Sequence, residues 1–162
     1  RQRRTLVVRK AIFALAALAL VQMLMAGATL AAGGGSSNAP KNPDLAQGAK
    51  MVESENYAAA IPLLEKAVAT DPKSADAFNY LGYSHRRLGD KEAALSFYQK
   101  ALELEPEHRG ANEYMGELYL EMGELGKAEE RLEVLDGVCF FGCEEYSELK
   151  EAIKAYKAQQ GS

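Results

Sequence analysis

The two cysteines are the residues whose type and spacing most plainly suggest chemistry. Cys139 and Cys143 enclose Phe140, Phe141 and Gly142. Two nearby thiols in an oxidising compartment usually form a disulfide, and Gly142 permits a turn that a regular helix would not. We predict this disulfide. Free buried thiols, or a thiol or metal function, stay open as alternatives, although two sulfurs supply only half of a tetrahedral metal site.

The remaining candidates for chemistry form no catalytic motif. His85 and His108 lie in different predicted helices without a Ser, Cys or Asp at motif spacing, so we interpret both as surface or packing residues. Glutamates recur every four residues, at Glu113, Glu117 and Glu121, and therefore share one helix face. Such a row could bind a metal ion, or it could be a solvated acidic stripe. We favour the solvated stripe. The sequence therefore predicts no catalytic residue, no cofactor and no metal ligand.

The first 32 residues differ in composition from the rest of the chain. A basic head ends at Lys10, and an apolar run follows from Ala11 to Ala32, with small residues near its end. This pattern is typical of a signal peptide, and a run of this length would also suffice as an inner-membrane anchor. We expect export to the periplasm, with cleavage between Thr29 and Gly35 or retention of residues 11–32 as a tether.

The part of the chain from Gly33 onward is acidic. It carries 14 Lys and Arg against 23 Asp and Glu, a net charge of −9. Such a surface repels phosphate backbones, which excludes nucleic acid as a partner. Residues 33–43 are rich in Gly, Ser and Pro and are predicted to be a flexible tether. Asn42 and Pro43 then predict a helix start, with Asn42 as its cap.

Small and apolar residues recur with a period of 34, which is the most informative pattern in the sequence. The series at this spacing are Gly48, Gly82 and Gly116; Ala60, Ala94 and Ala128; and Leu64, Tyr98 and Leu132. Apolar positions between them follow helical steps, so each period predicts two amphipathic helices. Three units result, at about 41–74, 75–108 and 109–138.

Local signals predict how the helices of one unit meet and end. We expect Gly82 to lie at their closest approach, facing the neighbourhood of Ala94 and Ala101, with Phe78, Leu81 and Leu88 needed for packing. Gly89 favours a left-handed helix end and Asp90 a cap for the next helix. Pro62 predicts a bend in the second helix of the first unit. The corresponding helix of the third unit is expected to end early, near Gly137, because Leu135 replaces a small residue.

The second unit resembles the consensus of the tetratricopeptide repeat (TPR). The matching residues are Ala75–Gly82, Gly89-Asp90, Ala93-Ala94-Leu95, Tyr98, Ala101 and Pro106. This resemblance implies an all-α solenoid of helical hairpins with three repeats. It also implies a non-enzymatic adaptor or scaffold that binds a protein or peptide on the concave face formed by the first helices. The candidate binding residues on that face are Asn79, Tyr83, Arg86, Arg87, Glu113, Glu117 and Leu120.

One TPR subgroup clamps the carboxylate of a peptide C-terminus with Lys, Asn and Arg at fixed places. The corresponding places here hold Leu45, Ala49, Tyr80, Gly110 and Tyr114, so the resemblance implies that this clamp is absent. Tyr83, Arg86 and Arg87 instead offer stacking and carboxylate pairing beside an acidic wall.

The tail is predicted to be a capping helix over residues 144–159, after a Cys-containing turn at 139–143. Its apolar residues Tyr146, Leu149, Ala152, Ile153 and Tyr156 share one face, which would cover the open end of the repeat stack. Two alternatives to an adaptor stay open. The repeats could self-associate into an envelope assembly, or the cysteine pair could make this a thiol or metal protein.

Overall fold

Seven α-helices make up the part of the chain that the structure describes. The computed structural model describes residues 42–161; the predicted export segment (1–32) and residues 33–41 of the predicted tether lie outside them. The helices are α1 (Pro43–Glu53), α2 (Tyr57–Thr70), α3 (Ala75–Arg87), α4 (Lys91–Leu104), α5 (Arg109–Glu121), α6 (Leu125–Val138) and α7 (Glu144–Gln160). The predicted all-α fold is confirmed.

The helices stack as three hairpins and a terminal helix. Each hairpin pairs a first helix with the second helix of its unit: α1 with α2, α3 with α4, and α5 with α6. The first helices also lie beside one another, since α1 contacts α3 and α3 contacts α5. The last helix, α7, contacts both α5 and α6. This arrangement is the predicted helical-hairpin solenoid, and it places the first helices along one side.

Side-chain caps explain where several helices begin. At four helix starts a side chain accepts a hydrogen bond from the backbone N–H group three residues further on. The acceptors are the side-chain oxygens of Asn42, Ser74 and Asp90 and Nδ1 of His108, and the donors are Leu45, Ala77, Ala93 and Ala111 in the same order. Each of these bonds satisfies a donor that the first helical turn leaves free. The predicted caps at Asn42 and Asp90 are confirmed.

Each hairpin turns through a residue with a positive φ angle. Gly89 has φ 89° and Gly123 has φ 79°, whereas the first hairpin places Glu55 there with φ 58°. Glycine has no Cβ to clash in this left-handed region, which is why it suits the turn. The prediction for Gly89 is confirmed, and Glu55 occupies the same place in its unit at a conformational cost.

The glycines of the 34-residue series allow close helix packing, but against large side chains. A Cβ placed on Gly82 would lie 2.6 Å from a ring carbon of Tyr98, and one on Gly48 would lie 2.6 Å from Leu64. Tyr98 lies in α4 between Ala94 and Ala101, so Gly82 meets the predicted neighbourhood, but the group that it meets is a large ring and not a small side chain. The missing side chain of Gly82 leaves a hollow, and the tyrosine ring fills it.

The third unit departs from this pattern. A Cβ on Gly116 would lie 2.6 Å from Leu149 of α7, so the tail helix supplies the side chain that covers this glycine. Leu149 and Ile153 are buried, and Tyr146, Ala152 and Tyr156 pack against the same core. The apolar face of α7 thus covers the end of the stack, and the predicted capping helix is confirmed.

Two local expectations are corrected, and the predicted bend at Pro62 stays a prediction. Leu88 is 52% exposed, because it follows the last residue of α3, so it is not needed for packing as predicted. Helix α6 ends at Val138, beside the predicted end near Gly137, but this end is not early, because the helix has 14 residues, as α4 does. Helix α2 continues without interruption through Pro62, which is exposed. No helix among residues 42–161 is both long and apolar enough to cross a membrane.

Candidate functional site

A depression between α3, α5 and α7 brings together most of the predicted binding residues. Its volume is about 390 Å³. Its lining residues are Tyr83, Arg86, Arg87, Glu113, Tyr114, Glu117, Glu121 and Glu148. We call this surface the α3–α5–α7 depression. Five of its eight residues were predicted from the sequence as binding residues.

Arg86 joins α3 to the acidic face of α5. Its Nη1 lies 2.6 Å from Glu117 Oε2 and its Nε lies 2.7 Å from Glu121 Oε1. Burial disfavours the charge on Arg86, but the two carboxylates outweigh that cost and raise its pKa. The guanidinium is therefore already paired. A carboxylate of a partner would therefore compete with Glu117 and Glu121 for this cation.

Arg87 and a cluster of tyrosines form the neighbouring wall. Arg87 Nη1 donates a hydrogen bond to the Tyr83 hydroxyl at 2.7 Å, and the guanidinium carbon lies 4.9 Å from the centre of the Tyr57 ring. The rings of Tyr83 and Tyr114 are 4.7 Å apart, and those of Tyr57 and Tyr83 are 5.9 Å apart. Rings at such distances attract each other and hold the wall in shape.

Glu113 is buried, contrary to the prediction of a solvated acidic stripe. It is 2% exposed, and its Oε1 has no hydrogen-bond partner among the described residues. Burial, a hydrogen bond with Glu148 and the nearby carboxylates of Glu148, Glu117 and Glu145 together raise the pKa of Glu113 to about 9. The reason is the tail helix: α7 packs on α5 and covers the face on which Glu113 lies.

Two predicted binding residues lie outside the depression. Leu120 is 9% exposed and belongs to the core, so its side chain is not available to a partner as the sequence suggested. Asn79 is 6% exposed and lines a separate polar pocket beside His108 and Gly110. Asn79 occupies in α3 the position that Glu113 occupies in α5, and both are covered by the next first helix in the stack.

The sequence did not single out Tyr114 or Glu148 as site residues. Tyr114 enters the sequence analysis only as a place where a clamp residue is missing, and Glu148 lies in the predicted capping helix but outside its apolar face. One signal was available: Tyr80, Tyr114 and Glu148 are spaced by 34 residues, so α7 continues the series of first helices. Extending the repeat into the tail would have placed Glu148 beside the binding face.

The cysteine loop is a second exposed feature. The sulfurs of Cys139 and Cys143 lie at disulfide distance, in the turn between α6 and α7. Gly142 has φ 82°, which provides the turn expected there. Phe140 and Phe141 are 87% and 104% exposed. Within residues 42–161, no group of three or more His, Cys, Asp or Glu side chains is close enough to hold a metal ion.

Comparison with known proteins supports the fold. One family model, described as a tetratricopeptide repeat, matches residues 45–109, and a second with the same description matches residues 85–138. No curated protein sequence matches the chain.

Solved structures with the same fold include three bound to peptides or partner segments. One is the Yersinia enterocolitica type III secretion translocator chaperone SycD in complex with a peptide of the translocator YopD. It is 18% identical in sequence with a TM-score of 0.62, and the match covers 73% of this chain and 92% of the SycD chain. PcrH with the chaperone-binding region of PopD has 18% identity and a TM-score of 0.64, covering 73% and 91%.

The first TPR domain of Spaghetti (RPAP3), bound to the HSP90 peptide SRMEEVD, has 20% identity and a TM-score of 0.63. The match covers 70% of this chain and 92% of that one. At these identities the likeness concerns the fold alone.

Together, the two repeat models span residues 45–138, which hold the three hairpins. The chain belongs to the tetratricopeptide-repeat family.

Proposed function

We propose that the protein is a non-enzymatic adaptor that binds a peptide or protein segment on the side of the solenoid formed by its first helices. The observation that carries the proposal is the α3–α5–α7 depression, which tyrosine rings, guanidinium groups and carboxylates line together. Aromatic and arginine side chains are the residue types that dominate binding energy at protein interfaces. The peptide complexes of SycD, PcrH and RPAP3 support the same use of this fold.

Arg87 is the best single position at which to test this proposal. It is exposed and its contacts are with Tyr57 and Tyr83, so Arg87→Ala should leave the core intact. We expect it to weaken binding of a blocked degenerate peptide pool by roughly 1–2 kcal/mol, measured by fluorescence anisotropy.

Lys100→Ala is the matched control, because Lys100 is an exposed side chain on α4 that pairs only with Glu103 among the described residues. It should change binding by less than about 0.5 kcal/mol. Equal loss in both variants, or no binding by the unmodified protein, would reject the depression as the binding surface.

We further propose that the adaptor works in the periplasm, either freed from residues 1–32 or held by residues 11–32 at the inner membrane. The signal-like composition of this segment supports export. We propose also that Cys139 and Cys143 are bonded, as their spacing and placement favour. Intact-mass measurement of the protein from fractionated cells tests both: a mature N-terminus between Thr29 and Gly35 with two unreactive cysteines is expected.

Self-association is a second candidate function, and one observation favours it. Phe140 and Phe141 are almost fully exposed side by side, and exposed aromatic pairs of this kind often mark contact sites. Replacing both by Ser should not change the unfolding temperature. If the protein sediments as a concentration-dependent oligomer and the double variant as a monomer, self-association through the cysteine loop gains support over the adaptor role.

A further inference from the structure

We propose that the α3–α5–α7 depression selects partner segments with a basic side chain, whose cationic head lies between the carboxylates of Glu113 and Glu148. This inference rests on the proposed function, because it names the chemistry of the segment that the adaptor binds.

The first argument is the balance of charge in the depression. Four carboxylates and two guanidinium groups line it. Arg86 is paired with Glu117 and Glu121, and Arg87 is held by Tyr83 and the face of the Tyr57 ring. Glu113 and Glu148 have no ion pair with any described Lys, Arg or His. These two carboxylates are therefore the ones left for a cation from outside.

The second argument is the unpartnered atom at the floor of the depression. Glu113 is almost fully buried, and a hydrogen bond with the Glu148 side chain contributes to its raised pKa, yet its Oε1 accepts no hydrogen bond from any described group. A buried polar atom without a partner is costly, and an ammonium or guanidinium group supplies the donors that would satisfy it. Glu148, exposed at the rim, would meet the same head from the solvent side.

The third argument is the aromatic wall beside these carboxylates. Tyr114 follows Glu113 in α5 and lines the same depression, and its ring packs on Tyr83. The methylene stem of a lysine or arginine is apolar and packs readily on such rings while its head reaches a charge. A partner acid is disfavoured, because the local excess of carboxylates and the net charge of −9 from Gly33 onward both repel it.

Binding of this kind should release a proton. Burial and the neighbouring carboxylates raise the pKa of Glu113 to about 9, so at neutral pH the group holds a proton that an incoming cation would replace. The titratable and charged groups near it are Glu117 and Tyr114 on α5, Glu145 and Glu148 on α7, and Arg86 on α3. Further off, α4 contributes Tyr98 and α6 contributes Arg131, which hydrogen-bonds Asn112.

The experiment compares blocked nonapeptide pools that differ only at the central residue, with uncharged residues elsewhere. The central residue is Lys in one pool, Arg in the second, Glu in the third and norleucine in the fourth. Norleucine matches the methylene stem of Lys without its charge. We expect the Lys or Arg pool to bind at least about tenfold more tightly than the norleucine pool in fluorescence anisotropy. Glu113→Gln with Glu148→Gln should remove that preference, whereas Glu133→Gln, an exposed change on α6, should keep it.

Calorimetric titration of the Lys pool at pH 7, in two buffers of different ionisation enthalpy, measures the released proton. Release should be seen with the unmodified protein and lost in Glu113→Gln. If Glu113→Gln fails to fold, Glu148→Gln alone, at the exposed rim, must still reduce the preference. Equal binding of all pools, or preference for Glu, would overturn this inference and leave the proposed function standing. No binding by any pool would overturn both.

Discussion

At the residue scale, Glu113 shows how packing changes the chemistry of an ordinary side chain. Burial raises its pKa from 4.5 to about 9, so the folded protein holds the proton more tightly than the unfolded chain does. The stability that protonation provides is complete below about pH 4.5 and is lost as the pH rises towards 9. Ionised Glu113 thus destabilises the fold in mildly basic solution.

The neutral isostere Glu113→Gln tests this linkage. At pH 8 the variant should be more stable than the unmodified protein by roughly 1–3 kcal/mol, and at pH 4 the two should be nearly equal. Urea unfolding followed by circular dichroism at both pH values measures the difference. A gain that is the same at pH 4 and pH 8 would contradict the raised pKa.

Tyr98 carries a second buried polar atom without a partner. Its ring is fully buried against Gly82, and its hydroxyl makes no hydrogen bond of good geometry among the described residues, although Arg86 is close enough to offset part of the rise in pKa that burial causes. Tyr98→Phe keeps the ring and removes the unsatisfied hydroxyl, so it should raise the free energy of unfolding by about 1 kcal/mol. Urea unfolding at pH 7 checks this value. A clear loss of stability would mean that the hydroxyl has a partner, such as a bound water.

At the scale of the elements, the turn of each hairpin offers a matched pair of substitutions. Glu55 has a positive φ at the place where the second hairpin has Gly89. Glu55→Gly should stabilise the protein by roughly 0.5–1 kcal/mol, because glycine tolerates this conformation and a side chain does not. Gly89→Ala, which forces a Cβ into the same conformation, should destabilise it by a similar amount. Thermal unfolding that ranks the two variants in the opposite order would show that the turns are not equivalent.

The helix packing of a hairpin can be tested with two glycines in different surroundings. Gly82→Ala places a methyl group 2.6 Å from the Tyr98 ring, whereas Gly126 in α6 has no other group within 4 Å of a built Cβ. We expect Gly82→Ala to cost roughly 1–3 kcal/mol through overpacking and Gly126→Ala to gain about 0.5–1 kcal/mol through helix propensity. Chemical denaturation of both variants separates packing from propensity, and a gain in both would contradict the close approach at Gly82.

At the scale of the whole molecule, the repeat explains what could be predicted. The 34-residue spacing predicts the hairpins, and Asn42, Gly89 and Asp90 act locally, so their roles could be read from neighbouring residues. The burial of Glu113 could not, because it depends on α7, which lies outside the recognised repeats. The exposure of Leu88 depends on where α3 ends. Which side chain fills the hollow at Gly82 depends on the rotation of two packed helices, which spacing alone does not determine.

The tail helix is better described as the first helix of an incomplete fourth unit. It contacts α5 as well as α6, and Glu148 continues the series of Tyr80 and Tyr114. This explains why a helix that covers the end of the stack also contributes a carboxylate to the α3–α5–α7 depression. A cap and a binding element are here the same helix.

The tyrosine cluster gives the molecule a built-in optical signal. The chain has eight tyrosines and no tryptophan, so tyrosine is the aromatic side chain that contributes to its near-ultraviolet dichroism above about 275 nm, beside a broad band from the proposed disulfide. Four of the eight line one pocket beside Arg87, namely Tyr57, Tyr80, Tyr83 and Tyr114, where coupled rings give an asymmetric environment. A peptide that occupies this face should change the tyrosine band without any label, and a ligand that binds elsewhere should leave it unchanged.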